Sequence, residues 1–173
     1  MRTRLMLLVL LMVVVLIGCQ QDAWKEFSSR EGAFSILFPG TPIETIQQAN
    51  TVADGIINVH IFSFEQKGSS YFVLYSDYPE SVFKRKDANK ILDDMRDSFV
   101  SKGKLISEDI VSLDEYPGRD LRIKTLDGKY NMNDCIYLVK NRAYEIMTMT
   151  EKDAGFSEED LIKFLESFKI LEG

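Results

Sequence analysis

Histidine is nearly missing from this chain: His60 is the single example in 173 residues. Ser-His-Asp chemistry would have to pass through it, yet it sits mid-strand in Asn58-Val59-His60-Ile61-Phe62, and no Gly-x-Ser-x-Gly elbow occurs. Zinc spacings of the His-Glu-x-x-His and Cys-x-x-Cys kinds are absent, as are the P-loop, Gly-x-Gly-x-x-Gly and the haem-attaching Cys-x-x-Cys-His. Cysteine is scarce too, at two residues, Cys19 and Cys135. Basic residues are outnumbered, 21 Lys and Arg against 27 Asp and Glu. A chain of that balance is a poor partner for nucleic acid, which calls for a basic stripe. The longest charge-free apolar run, Leu5 to Ile17, has thirteen residues. That falls short of the ~18–20 needed to cross a bilayer core.

The run has a different use. Arg2 and Arg4 precede it and Leu16-Ile17-Gly18-Cys19 closes it. A short positive region, an apolar stretch of ~7–15 residues and a small residue at the end make a secretory signal. The closing tetrapeptide resembles the lipobox of bacterial lipoproteins. The resemblance implies that residues 1–18 are removed and that Cys19, carrying a diacylglyceryl group and usually a further acyl chain such as palmitate, becomes the new N-terminus. Two or three chains, at ~0.8 kcal/mol per buried methylene, hold a protein to a membrane almost permanently. Gln20 and Gln21 resemble the sorting signal of the outer-membrane class, which places the domain on the periplasmic face if the cell is Gram-negative. Residues 19–23 then form the lipidated cysteine and a short tether, and residues 24–173 one globular domain. The mature chain carries 19 basic against 27 acidic residues. Cys135, left alone, is read as a small buried hydrophobe.

Strands are expected over 24–28 and 33–38, the second ended by Pro39-Gly40-Thr41-Pro42. A meander follows: a mostly polar strand 43–52, an Asp54-Gly55 hairpin turn, an alternating strand 56–66, and Tyr71-Phe72-Val73-Leu74-Tyr75. That last segment is apolar on both faces, which predicts a central strand covered on both sides. Asp87 is set to cap a helix carrying Ile91, Leu92, Met95 and Phe99 on one side, with Gly103 as its stop. Strands 104–114, 118–126, 129–140 and 143–150 come next, punctuated by Pro117-Gly118, Asp127-Gly128 and Asn141-Arg142. Ser157 opens a last helix, with Phe156 and Leu161 at staple spacing and Leu161, Phe164, Leu165 and Phe168 as its stripe. Strands joined by tight turns imply a largely antiparallel sheet, and two amphipathic helices must each cover a face, an α+β layered sandwich.

Four motifs, in order and spacing, carry a wider resemblance. Phe34-Ser35-Ile36-Leu37-Phe38-Pro39-Gly40-Thr41-Pro42, Tyr71 to Pro79, Tyr116-Pro117-Gly118-Arg119-Asp120 and Phe164 to Lys169 are similar to segments of PsbP-like proteins. The resemblance implies the Mog1/PsbP-like α-β-α sandwich over roughly residues 24–171. Members include an extrinsic photosystem II subunit, a Ran-binding protein and bacterial envelope lipoproteins; they bind or assemble, and the fold does not choose among these roles. Metal binding reported for plant members uses histidines with no counterpart here, so no metal site and no cofactor is expected.

Asp93, Asp94 and Asp97 lack a calcium loop and read as a solvated helix face. Asp114, Glu115 and Asp120 form a possible set of paired carboxylates, though acids at strand ends are common. Lys84-Arg85-Lys86 is a basic run before a helix, where it opposes the helix dipole; it suits anionic head groups or plain solvent. Tyr78, Pro79 and Phe83 place apolar rings in a loop, suited to partner contact or to packing over the sheet edge. Together these six residues make the candidate interaction surface. The functional expectation is a membrane-anchored envelope lipoprotein, not an enzyme, whose domain is a binding, accessory or assembly factor for another envelope protein. Alternatives are a carrier of an apolar small molecule between sheet and helix, which needs a cavity of several hundred Å3, and a hydrolase, which needs a carboxylate cluster in a cleft.

Overall fold

The computed structural model describes residues 24–51, 55–101, 103–154 and 157–171. Cys19, the signal segment, Asp54 of the expected hairpin turn and Phe156 of the expected staple lie outside the described residues.

The strands are β1 (Lys25–Ser29), β2 (Phe34–Phe38), β3 (Ile43–Thr51), β4 (Gly55–Gln66), β5 (Ser69–Asp77), β6 (Gly103–Leu113), β7 (Tyr116–Thr125), β8 (Tyr130–Val139), β9 (Arg142–Glu151) and β10 (Lys169–Ile170). The helices are α1 (Glu80–Phe83), α2 (Ala88–Val100) and α3 (Glu158–Glu166). Seven strands form one antiparallel sheet in the order β3-β4-β5-β9-β8-β7-β6. β2, between β1 and β10, makes a second, three-stranded sheet.

Side-chain alternation divides the core. From one face of the large sheet, Tyr71, Val73, Tyr75, Cys135, Val139, Tyr144 and Ile146 meet Phe34, Ile36 and Phe38 of β2 and Phe164 and Phe168 from the α3 end. From the other face, Leu121, Ile123, Ile136, Leu138 and Ala143 meet Val82 of α1 and Ile91, Leu92 and Met95 of α2. Adjacent residues of β8 thus point into opposite layers, as the two-residue period of a strand requires. Helix, sheet and helix stack into the expected α-β-α sandwich.

Both main helices begin where the sequence says. The Asp87 carboxylate accepts from the Lys90 N–H at 2.9 Å, and the Ser157 hydroxyl accepts from the Asp160 N–H at 3.3 Å. Four details differ. Residues 80–83, expected as loop, form α1, which turns Val82 inward to 2 % exposure. Gly103 is no helix stop: α2 already ends at Val100, and Gly103 opens β6, where an added Cβ would sit 2.6 Å from Ile123 and 2.7 Å from the Lys124 carbonyl. Pro117-Gly118 is not a turn either. The chain reverses at Asp114-Glu115, so Pro117 pairs with Ser112 inside the ladder. β5 is not the centre, which is β9; Tyr71, Val73 and Tyr75 are buried, but Phe72 and Leu74 on its other face stay half-exposed.

Candidate functional site

A helix with its side chains is ~10–12 Å across and strands lie ~4.8 Å apart, so one helix covers two or three strands of seven. Where α2 sits therefore decides what stays open. A polar clamp fixes it. The Arg119 side chain on β7 is 6 % exposed and donates to Asn89 Oδ1 and Asp93 Oδ1 of α2, each at 3.2 Å. Its Nε lies 3.3 Å from Glu108 Oε1 on β6, and Arg96 of α2 donates to the same carboxylate at 3.1 Å. A buried guanidinium is tolerated because each of these partners offsets its desolvation. The clamp holds α2 above β6, β7 and β8. Among the described residues, α2 leaves the flank over β3, β4 and β5 uncovered.

That offset opens a groove of about 610 Å3 between α2 and the uncovered flank. Ile57 and Val59 of β4 form its floor, and Val82, Ile91, Met95 and Phe99 its helical wall. Its polar groups include Tyr78, Lys86, Asp94, Asp97 and Glu145. Lys86 donates to Asp94 at 2.6 Å, and Lys90 approaches the same carboxylate at 3.0 Å. The bond from Lys86 holds the Asp94 carboxyl below the usual carboxylate range. Burial, helped by the charge of Glu145 and opposed by a hydrogen bond with Ser76, pushes the Tyr78 phenol up to about 12. The Tyr78 hydroxyl stays protonated at neutral pH, a hydrogen-bond donor beside an apolar floor. Volume, floor and a few placed polar groups are those of a binding site for an apolar ligand or side chain.

A smaller cleft of about 310 Å3 opens on the other face, between α3 and β6, β7 and β8. Asp120, Cys135 and Tyr137 meet there. The Cys135 thiol donates to Asp120 and accepts from Tyr137, while burial and the Asp120 and Asp134 charges push its pKa well up from the ordinary thiol value. A nucleophilic thiol needs the reverse. Burial raises Asp120, and burial with the charges of Glu145 and Asp120 raises Asp134 well above the usual carboxylate range. These two acids do not share a cleft. Asp120 pairs with Cys135 and Leu121 with Asp134, so the carboxyls point to opposite faces of the sheet. Asp114 and Glu115 lie at the β6–β7 turn, whereas Asp120 stands further along the ladder opposite Asp109.

The other sequence candidates fall as follows. Tyr78 and Phe83 pack half-buried on the α2-side core, beyond Pro79 at the start of α1. Of the basic run, Lys86 reaches the groove; Lys84 and Arg85 are exposed, and Arg85 Nε donates to the Ser81 carbonyl at 3.2 Å. The three acids of α2 divide: Asp93 serves the clamp, Asp94 the groove lysine, and Asp97 pairs with Arg96 at 3.0 Å. His60 stacks on Tyr75 at 4.4 Å, with Nδ1 3.4 Å from Glu44 Oε1. Arg119 and Glu145, which shape the groove, are not among the sequence candidates. Only an arginine inside an apolar-bounded strand, Leu121 and Ile123 following, signalled the first.

Neither a family model nor a curated protein sequence matches the chain. Among solved structures, the solution structure of cyanobacterial PsbP (CyanoP) from Synechocystis sp. PCC 6803 is similar over 88 % of this chain and 95 % of that one. The TM-score is 0.55 at 13 % sequence identity. The chain has the PsbP-like fold, and at that identity the likeness speaks of fold alone.

Proposed function

We propose that the protein is a lipid-anchored component of a bacterial cell envelope whose PsbP-like domain binds another envelope protein as an accessory or assembly factor, without turnover of its own. The groove beside α2 carries this reading: about 610 Å3 of apolar-floored space that the Arg119 clamp keeps open. The lipobox-like Leu16-Ile17-Gly18-Cys19 supports the anchor, and the raised pKa of the buried Cys135 thiol argues against covalent catalysis by the one cysteine of the domain. The groove volume also favours a second reading, a carrier of an apolar small molecule.

Two experiments test the proposal. Cys19→Ala is expected to abolish labelling by a fatty-acid probe, and continued labelling overturns the anchor. A photo-crosslinker at Ser98, exposed on the groove wall, is expected to capture an envelope protein in cells, while one at Leu126, far out at 77 % exposure, does not. Capture of a small molecule alone, seen by mass spectrometry, selects the carrier.

A further inference from the structure

The groove runs to the edge of the sheet, since Ala49 and Asn50 of β3 are part of its lining. Among the described residues β3 is an end strand of the large sheet and pairs with β4 alone, through nine residue pairs without a register shift. Its other edge offers a row of backbone donors and acceptors to an incoming chain. Natural edges are blunted by charge, proline or a bulge. β3 has none of the three beyond Glu44: its sequence is IETIQQANT, and Ile43 and Ile46 are 69 % and 59 % exposed. The opposite edge, β6, also exposes Ile106 and Ile110, but it carries Lys104, Glu108 and Asp109 and a register break between Leu105 and Ser107.

Taking the groove as the binding site proposed above, we infer that β3 is the docking edge for an extended segment of the partner protein, alternating apolar and basic residues, that adds as an eighth strand. The register sets the chemistry. Gln47 and Ala49 stand opposite Val59 and Ile57 of the groove floor, so they mark the groove face of β3. Glu44 and Ile46 stand opposite Phe62 and His60, on the other face. A strand laid ~4.8 Å outside β3 puts every second side chain at the groove mouth and the rest beside Glu44. Apolar residues suit the first set and basic residues the second. A formal charge of −6 for the chain adds attraction for a basic segment. A second copy of this chain fits less well. Paired about a two-fold, its β3 would present Gln47 and Ala49 to an apolar groove, and two acidic bodies would repel. Backbone hydrogen bonds supply the affinity of such strand addition, and alternate side chains its specificity.

The test uses the full chain in zwitterionic lipid nanodiscs and a fluorescein-labelled nine-residue peptide of alternating valine and lysine. Empty discs provide the blank. Two further peptides carry N-methyl groups on the valine amides or on the lysine amides, so that each removes the donors of one strand edge. The expected result is binding of the parent peptide, with about tenfold or greater weakening by one methylated set and little change by the other. Hydrogen exchange should slow on β3 and leave β6 unchanged. No binding, equal loss from both methylated sets, or protection at β6 overturns the inference. Concentration-dependent protection of β3 without peptide also overturns it and makes a second copy the occupant. If the peptide fails while the Ser98 crosslinker still captures a protein, strand addition falls and the groove reading stands.

Discussion

Asp134 lies at the middle of β8, fully buried, with neither carboxylate oxygen hydrogen-bonded. Leu121 and Met147 are its ladder partners. Ionising it there means placing a charge among apolar groups, which is why its proton is held well above the usual carboxylate range. The consequence for stability has a definite sign. Unfolded, the residue loses its proton at the ordinary value; folded, it keeps it to higher pH. Stability is therefore fully present below the ordinary value and falls as pH rises toward the folded one, by up to about 1.4 kcal/mol per pH unit. Asp120, raised by burial, acts in the same direction. Asp134→Asn removes this ionisation, so the variant is expected to lose that slope and to exceed the parent at neutral pH in urea melts run from pH 4 to 8. Arg119 is the contrasting case, a buried charge whose partners are all in place. Arg119→Ala takes the buried partner from Asp93 and Glu108, leaves them Arg96, and is expected to cost about 1.5–3 kcal/mol by denaturant unfolding. Because the clamp sets the position of α2, crosslinking from Ser98 should fall in the same variant.

Elements follow the sequence where the governing contact is local. Asp87 and Ser157 cap helices through bonds that span three residues, and both were legible. Stripes such as Ile91, Leu92 and Met95 declare a buried face at helical spacing. Elements escape the sequence where the contact is distant. Pro117-Gly118 has the composition of a turn, yet it lies in a ladder. A Cβ on Gly118 would stand 2.5 Å from the Ile136 carbonyl oxygen and 2.5 Å from the Tyr137 ring. This glycine is demanded by the neighbouring strand and not by its own conformation. Gly118→Ala is expected to destabilise by about 1–3 kcal/mol, as overpacking does, read as a lower urea midpoint at unchanged slope. β10 is two residues long and exists only because Lys169 and Ile170 meet Ser35 and Phe34.

At the scale of the whole molecule, the proposed leash sets an orientation. Cys19 and Trp24 are five residues apart, a span of at most ~17 Å. Trp24 packs edge-on against Tyr71 at 5.7 Å and under Lys163 of α3 at 5.0 Å, so the α3 side would be held toward the bilayer. The groove, on the α2 side, would face away from the membrane and toward partners. Trp24 is the chain's only tryptophan. Its fluorescence is expected to be quenched by lipids spin-labelled at the head group in the anchored protein, and to escape quenching in Cys19→Ala.

Read alone, the sequence determined the α+β class, most strand positions, both main helix starts, the acidic balance and the apolar run that closes on Cys19. Each is written in neighbouring residues or in composition, where spacing and charge act directly. Tertiary structure decided the rest: that α2 lies off-centre, that Arg119 binds across three elements, that Asp120 and Asp134 point apart, and that β3 ends the large sheet beside a groove. Those outcomes depend on which residues, far apart in the chain, share one face of a sheet wider than a single helix can cover.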